Sequence, residues 1–243
     1  MASLPLPPPD LLDDAALFLD FDGTLVELAD TPDAIRVAPG LAPMLERLRA
    51  RLGGRLAIVS GRSIADLERH LPLHGIAFSG SHGLELRLAD GTRLPLSVPA
   101  GLDAAREAVA AFAAGREGLI VEEKPAGIAL HYRLAPAEQD GVRAFMAELG
   151  RASGFTLQCG KMVTELRAEG ADKGDAVRAF MTEPGFEETI PIFVGDDLTD
   201  EHAFEAAVAL GGAGVLVGPG RETAARYRLP SAAAVAAWLE GAV

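Results

Sequence analysis

The sequence predicts an α/β fold in which a doubly wound parallel sheet carries an inserted α+β unit. Short apolar runs bounded by turn residues recur along the chain, and such runs are typical of strands buried in a parallel sheet. Segments with apolar residues at helical spacing lie between these runs. This alternation is interrupted in the middle of the 243 residues and then returns. We therefore expect one core built from two stretches of chain, with a separate unit inserted between them.

The first core stretch contains apolar runs that stop at polar turn residues. Its predicted elements are strands at 15–19, 55–59 and 76–78, a helix at 41–52, a second helix after the N-cap Ser63, and a hairpin over 84–96. The first helix is indicated by apolar residues at helical spacing and by the Gly53-Gly54 pair that follows it. The hairpin is indicated by the turn sequence Ala-Asp-Gly-Thr between two strand-like runs.

The middle of the chain has a different order of elements. Helices are predicted at 104–114 and 137–151, and each is followed by two strand-like runs, at 119–123 and 128–134 and at 155–159 and 162–166. This αββαββ order is typical of a small α+β unit with an open sheet. We predict that the inserted domain covers residues 99–167 and that the core covers 1–98 and 168–243.

After the insertion, the alternation of strand and helix resumes. The predicted elements are helices at 173–181, 201–210 and 231–240, with strands at 190–194 and 214–217. Because strands that alternate with helices form parallel sheets, these elements are expected to extend the sheet of the first stretch.

Composition limits the classes of partner. The formal net charge is −13, which argues against nucleic acid and anionic membranes as partners, since both need a basic face. The single cysteine, Cys159, excludes a disulfide within the chain and fits a reducing compartment. We expect Cys159 to be a packed side chain. The sequence shows neither a signal peptide nor an apolar run long enough to span a membrane, so we expect a cytoplasmic protein. We also expect it to be a monomer.

Polar side chains follow three of the predicted strands. Asp20 and Asp22 follow the first strand, Ser60 follows the second, and Asp196 with Asp197 follows the strand at 190–194. In an open parallel sheet, ligands bind outside the carboxyl ends of the strands. Lys173, at the start of the helix after the insertion, is expected at the same edge of the sheet.

Asp20 and Asp22 are the most informative pair. Side chains at positions i and i+2 of a strand point the same way, so both carboxylates can face one site. Gly23 permits a tight turn in which backbone N–H groups point at an oxyanion. A metal ion can keep one carboxylate ionised while the other acts as a general acid. Taken alone, an Asp-x-Asp pair is also compatible with an ordinary turn that uses Asp for local hydrogen bonds.

The segment Asp-Phe-Asp-Gly-Thr-Leu at 20–25 resembles the first motif of the haloacid dehalogenase superfamily of phosphatases. The resemblance implies that Asp20 is a nucleophile that forms an aspartyl-phosphate. It implies that Asp22 is the general acid and then the base for water. It also implies a Mg²⁺ ion bound by Asp20, by the backbone carbonyl of Asp22 and by Asp196, and oxygen ligands of this kind suit Mg²⁺.

The later motifs of that superfamily have counterparts in the same order. Ser60 resembles the hydroxyl of the second motif, and Lys173 resembles the cation of the third, which stabilises the phosphoryl group. The segment at 195–201 resembles the acidic fourth motif, so Asp197 and Asp200 are expected beside the metal ligands. Alone, Ser60 also fits a loop or N-cap, Lys173 fits a solvated side chain, and the acidic segment fits a helix cap.

Within the superfamily, the chain most resembles the trehalose-6-phosphate phosphatases. The resemblance rests on Gly-Ser-His-Gly-Leu-Glu at 80–85, on segments around 121–124 and 131–133, and on Gly-Lys at 160–161 followed by Glu165. It implies that the insertion is a cap that closes over the site, and that a sugar phosphate is the substrate. The implied substrate-binding residues are Arg62, His82, Glu122, Lys124, Arg133, Lys161 and Glu165. Polar residues that alternate along strands also fit the solvent face of a sheet.

Three rival functions remain at this point. The first is another sugar-phosphate phosphatase, of the sucrose-phosphate or mannosylphosphoglycerate type, because the core motifs address only the phosphoryl group. The second is a non-catalytic sugar-phosphate-binding protein on the same fold, although Asp20, Lys173 and Asp196 are all present. The third is a response-regulator receiver domain, against which the Asp-x-Asp pair and the large insertion argue.

Overall fold

The computed structural model describes residues 4–28, 34–93, 100–124, 127–160, 162–167 and 172–243. The chain divides into two compact units, a first unit formed by Met1–Pro95 with Ala171–Val243 and a second formed by Leu96–Gly170. The domain limits given above from the sequence stay a prediction.

The secondary structure alternates as the sequence predicts. The strands are β1 (Ala15–Leu19), β2 (Leu56–Val59), β3 (Ala77–Gly80), β4 (Glu85–Arg87), β5 (Ile120–Lys124), β6 (Gly127–His131), β7 (Thr156–Gly160), β8 (Val163–Arg167), β9 (Ile190–Gly195), β10 (Ala213–Val217) and β11 (Tyr227–Leu229). The α-helices are α1 (Leu41–Arg51), α2 (Ile64–His70), α3 (Leu102–Ala113), α4 (Gln139–Ser153), α5 (Lys173–Phe180), α6 (Glu201–Ala209) and α7 (Ala232–Glu240).

The first unit is built on a sheet of seven strands in the order β11-β10-β9-β1-β2-β3-β4. Every neighbouring pair is parallel except β3 and β4, which are antiparallel. The central strand β1 is buried on both faces, since Leu17 and Leu19 pack into one apolar cluster and Ala16 and Phe18 into another. Burial on both faces explains why this strand reads as a continuous apolar run.

Helices cover both faces of this sheet. The cluster that contains Leu17 also contains side chains of α1, α2 and α7, among them Leu45, Leu67 and Leu239. The cluster that contains Phe18 includes side chains of α5 and α6, among them Phe180. The first unit is therefore doubly wound, as predicted.

The second unit has its own antiparallel sheet, in the order β5-β6-β8-β7. Helices α3 and α4 supply Val109 and Met146 to an apolar cluster with alternate residues of the strands, such as Leu130 and Leu166. The intervening residues form a second face, in which Glu122, Ala129 and Glu165 are cross-strand neighbours. The αββαββ order is confirmed.

The structure differs from the sequence prediction, or extends it, at β11, at the hairpin and at Cys159. Strand β11 was not expected from the sequence, because three residues without an apolar run carry little signal. The hairpin is present as a bridge between Arg87 and Arg93, although residues 94–96 lie outside the described part. The expectation of a packed Cys159 is wrong, since this side chain is exposed near the end of β7, which is an edge strand among the described residues.

Among the described residues, no helix combines the length and the apolar character that crossing a membrane requires.

Candidate active site

The loop after β1 places Asp20 and Asp22 at the carboxyl edge of the sheet. The backbone N–H of Asp20 donates to the carbonyl of Val194 on the neighbouring strand β9, at 2.9 Å. The chain then turns tightly at Gly23, whose φ is +80°. A Cβ at Gly23 would lie 2.1 Å from Oδ2 of Asp196. Glycine is therefore required twice here, by the backbone conformation and by the approach of a carboxylate.

Lys173 joins two carboxylates in the interior of the first unit. Its Nζ donates to Oδ1 of Asp20 at 2.7 Å and to Oδ1 of Asp200 at 2.6 Å. Lys173 and Asp20 are each 3% exposed, and Asp200 is fully buried. Helix α5 begins with Lys173 because Asp172 and Asp175 form a capping box around its first turn. The sequence thus fixes the start of the helix that carries the ammonium group.

The loop after β9 holds the remaining carboxylates. Asp197 caps the short 3₁₀ helix Leu198–Asp200, and its backbone N–H donates to Oδ2 of Asp200 at 2.9 Å. Both oxygens of Asp200 are thus engaged, one by Lys173 and one by Asp197. A Cβ at Gly195 would lie 2.4 Å from Cγ of Asp200, so the strand must end in glycine.

Burial and mutual repulsion shift the pKa values of this cluster. Burial raises the pKa of Asp20 well above its usual range, against the attraction of Lys173, and Asp200 and Asp196 act in the same direction as burial. Burial, together with repulsion from Asp200 and Asp197, raises the pKa of Asp196 to about 6. Burial alone would lower the pKa of Lys173, but Asp20 and Asp200 outweigh it and raise this pKa. The ammonium therefore keeps its proton.

The three carboxylates have a composition and spacing that fit a divalent cation. One oxygen each from Asp20, Asp196 and Asp200 lies within 4.8 Å of the other two. Within the described residues, Oδ1 of Asp196 is buried without a hydrogen-bond partner. A buried carboxylate oxygen in that position costs free energy unless a cation binds it. Because Asp200 already has a partner at each oxygen, Asp20 and Asp196 are the better candidates for metal ligands.

Ser60 and Arg62 border the same site from β2. The Ser60 hydroxyl is buried and accepts the backbone N–H of Arg62 at 3.2 Å, which leaves its own O–H as a donor. The Arg62 guanidinium donates from Nε and Nη2 to the two oxygens of Asp22, at 2.6 and 2.8 Å. His82 lies beside the loop that contains Ser60 and Arg62, since a Cβ at Gly61 would lie 2.6 Å from the His82 ring.

The polar face of the second unit contains most of the other predicted residues. Lys124 donates to Oε2 of Glu165 at 2.6 Å, and His131 is 2.7 Å from Oε2 of Glu122. Arg133 is exposed in the loop after β6. The predicted residue Lys161 lies outside the described residues.

Asp66 was missed by the sequence analysis. It accepts from Nη1 of Arg62 at 2.7 Å, so this guanidinium joins Asp22 to Asp66. The signal that could have revealed it is the i, i+4 spacing of Arg62 and Asp66, which lets a side chain just before the N-cap Ser63 pair with one in the first turn of α2.

The sequence of this chain is similar to those of known phosphatases. The sequence model of the trehalose-phosphatase family matches residues 18–233. A probable trehalose-phosphate phosphatase of Sinorhizobium fredii is 41% identical over 210 residues, which cover 86% of this chain and 79% of that protein. The trehalose-6-phosphate phosphatase of Escherichia coli is 35% identical over 96% of this chain and 88% of its own length.

Solved structures agree as well. The crystal structure of a trehalose-6-phosphate phosphatase related protein superimposes with a TM-score of 0.77 and 29% identity. The match covers 92% of this chain and 94% of that one. Fold, site and relatives together define a phosphomonoester hydrolase. The chain belongs to the trehalose-phosphatase family.

Proposed function

We propose that this protein hydrolyses trehalose 6-phosphate to trehalose and phosphate through an aspartyl-phosphate on Asp20. The observation that carries the chemistry is the buried contact of Lys173 with Asp20 and Asp200. The substrate is supported by two relatives that are named for trehalose phosphate and share 41% and 35% identity with this chain.

The first half of the reaction transfers the phosphoryl group to the protein. A carboxylate oxygen of Asp20 attacks phosphorus, and the bond from phosphorus to the sugar oxygen breaks. Asp22 gives its proton to that oxygen, which leaves as a hydroxyl group. Lys173 and the Ser60 hydroxyl stabilise the negative charge on the phosphoryl oxygens.

The second half regenerates the enzyme. Asp22, now a carboxylate, accepts a proton from a water molecule whose oxygen attacks phosphorus. The bond between phosphorus and Asp20 breaks, which releases phosphate and restores the carboxylate. The proton taken by Asp22 serves the next first half, so the two halves balance.

A divalent ion, which we propose to be Mg²⁺, completes the site. Asp20, Asp196 and the backbone carbonyl of Asp22 would hold it, and the buried oxygen of Asp196 supports this assignment. When bound, the ion neutralises charge on the carboxylates and on the phosphoryl group. Asp197 and Asp200 support the site by fixing the acidic loop and Lys173.

We further propose that the second unit binds the sugar. Its candidate residues are Glu122, Lys124, Arg133, Lys161 and Glu165. Among these, Glu122, Lys124 and Glu165 put charged donors and acceptors on one sheet face, which suits a ligand with many hydroxyl groups. A non-catalytic role is disfavoured, because Asp20, Ser60, Lys173 and Asp196 are all retained.

The test is phosphate release from a panel of sugar phosphates, with Mg²⁺ and with a chelator. We expect trehalose 6-phosphate to be hydrolysed with the highest kcat/KM and only in the presence of the metal. Equal rates for sucrose phosphate and other sugar phosphates would leave a general phosphatase and remove the substrate assignment. No release from any member of the panel would contradict catalysis itself.

A further inference from the structure

The Arg62 guanidinium engages both carboxylate oxygens of Asp22. Nε donates to Oδ2 at 2.6 Å and Nη2 donates to Oδ1 at 2.8 Å. The Arg62 side chain is 10% exposed and that of Asp22 is 29% exposed. A two-point contact of a planar guanidinium with a carboxylate fixes the orientation of the carboxylate as well as its position.

Arg62 is itself held from several sides. Its Nη1 donates to Oδ2 of Asp66 at 2.7 Å, and its guanidinium carbon lies 5.8 Å from the centre of the Phe21 ring. Its backbone N–H donates to Oγ of Ser60 at 3.2 Å, and its carbonyl accepts the N–H of Ser81 at 2.7 Å. Arg62 is therefore anchored by groups other than Asp22, and it can act as a fixed support.

Asp66 is likewise fixed within its helix. It is the third residue of α2, and its N–H donates to the side chain of the N-cap Ser63. Arg69, one turn further along, also donates to the Asp66 carboxylate, but its side chain is 70% exposed. The order of contacts is thus helix α2, Asp66, Arg62 and then Asp22.

We propose that Arg62 is a positioning residue for Asp22 in both halves of the reaction. The proposal rests on the function proposed above. Asp22 must bring one oxygen within hydrogen-bond distance of the leaving oxygen in the first half and of water in the second.

The proposal differs from direct binding of the sugar by Arg62, which the sequence resemblance implies. A residue that only binds the sugar changes KM for the sugar phosphate and does not affect a substrate without a sugar. A residue that positions Asp22 also affects p-nitrophenyl phosphate. The good leaving group of that substrate needs no proton, but attack of water on the phosphoenzyme still needs Asp22 as the base.

The experiment is steady-state and stopped-flow kinetics of Arg62→Gln with trehalose 6-phosphate and with p-nitrophenyl phosphate. Misplacing a reacting group by about 1 Å costs roughly 100-fold in rate, so we expect kcat to fall about 10–100-fold for both substrates. With p-nitrophenyl phosphate, we also expect a burst of p-nitrophenolate equal to the enzyme concentration, because loss of phosphate from Asp20 becomes the slow step.

Three further variants separate positioning from folding. Arg62→Lys retains the positive charge and one donor nitrogen, so its kcat should lie between those of Arg62→Gln and the unaltered protein. Asp66→Asn should lower kcat for both substrates less than Arg62→Gln does. In the background of Asp22→Ala, Arg62→Gln should cause no additional loss, since residues that act as one unit are not additive. The control is Arg69→Gln, which removes a different contact of Asp66, made by a side chain that is 70% exposed. This variant should leave kcat and KM unchanged.

The outcomes are distinguishable. A higher KM for the sugar phosphate with unchanged kcat, and no burst with p-nitrophenyl phosphate, would overturn the positioning role and leave the phosphatase assignment intact. Independent, additive losses from Arg62→Gln and Asp22→Ala would overturn it as well. Failure of the unaltered protein to hydrolyse either substrate would instead overturn the proposed function, and this inference with it.

Discussion

The two units hold their lysine–carboxylate contacts in different environments. In the first unit, the side chain of Lys173 is 4% exposed and contacts two carboxylates that are 5% and 0% exposed. In the second unit, Lys124 contacts Glu165 with exposures of 18% and 14%, and the partners His131 and Glu122 are more exposed still. Buried charges are costly to leave unpaired, whereas water compensates exposed ones.

This contrast in burial suggests how catalysis and sugar recognition are divided in the proposed function. Groups that act on a phosphoryl group must be fixed before substrate arrives, and burial of Lys173 between Asp20 and Asp200 does that. Groups proposed to recognise hydroxyls need only be present on a partly accessible face, and there Glu122 is exposed and Lys124 is half-buried. We expect changes in the first unit to alter turnover, and some of them to alter stability, while changes in the second unit should alter KM.

The largest effect is expected from Asp20→Asn. The amide can still accept from Lys173 but cannot form a phosphoenzyme, so kcat should fall by at least about 10⁴-fold with little change in thermal stability. Phosphate release and differential scanning calorimetry measure the two quantities. Asp13→Asn, at a position that is 64% exposed, is the control and should be neutral. Substantial activity in Asp20→Asn would contradict its role as nucleophile.

Lys173→Met should lower both activity and stability. Loss of the cation removes charge stabilisation worth about 10²–10³-fold in kcat. It also leaves Asp20 and Asp200 buried without their common partner, which costs about 3–5 kcal/mol of unfolding free energy in the metal-free protein. Urea denaturation and kinetics test this expectation.

The matched control for this prediction is Arg178→Gln. It removes a cation from the same helix at a position that is 51% exposed and should change neither quantity. A Lys173→Met protein with unchanged stability would mean that burial does not distinguish the two units.

A pH-dependent effect of the metal is expected at Asp196. Its folded-state pKa of about 6 lies above the unfolded value, so its protonated form adds stability at low pH that is lost as pH rises through 6. Metal binding must displace this proton. Affinity for Mg²⁺ should therefore fall about fivefold between pH 6 and pH 5, and Mg²⁺ should raise Tm more at about pH 7.5 than at about pH 5.

Calorimetric titration in two buffers would detect the released proton. Asp196→Asn should abolish the increase in Tm with Mg²⁺. An increase that is independent of pH, or one that persists in the variant, would contradict Asp196 as a ligand.

The smallest effect is expected from Lys124→Gln in the second unit. Loss of one charged hydrogen bond to the sugar should raise KM for trehalose 6-phosphate about tenfold, with kcat nearly unchanged. Hydrolysis of p-nitrophenyl phosphate should not change, and the partly exposed pair with Glu165 should contribute less than about 1 kcal/mol to stability.

The neighbouring Glu123 provides the control for Lys124. Its side chain is 68% exposed and alternates to the opposite face of β5, so Glu123→Gln should leave KM unaltered. A drop in kcat for Lys124→Gln with both substrates would place this lysine among the groups that act on phosphorus.

Much of the fold could be predicted because its signals are local. The continuous apolar run of β1 follows from burial on both faces, and the start of α5 follows from the capping residues Asp172 and Asp175. Strand β11 is defined instead by its pairing with β10, from which a loop separates it along the chain. The sequence of β11 alone therefore carries little information.

The site was predictable to a similar extent. The sequence placed Asp20, Lys173 and Asp196 at one edge, and their residue types and order suggested their chemistry. It did not reveal that both oxygens of Asp200 are used by Lys173 and Asp197, or that Asp66 supports Arg62. Those are pairwise contacts of side chains with other side chains or with the backbone, and they depend on the direction and distance that only the folded chain defines.

The exposed Cys159 gives this protein a practical property. It is the single thiol of the chain and lies near the end of an edge strand of the second unit. A maleimide-linked fluorophore should therefore attach at one known position, without mutagenesis to remove competing sites. Such a label would report on the environment of the second unit during a single turnover, while the reacting groups of the first unit stay chemically unaltered.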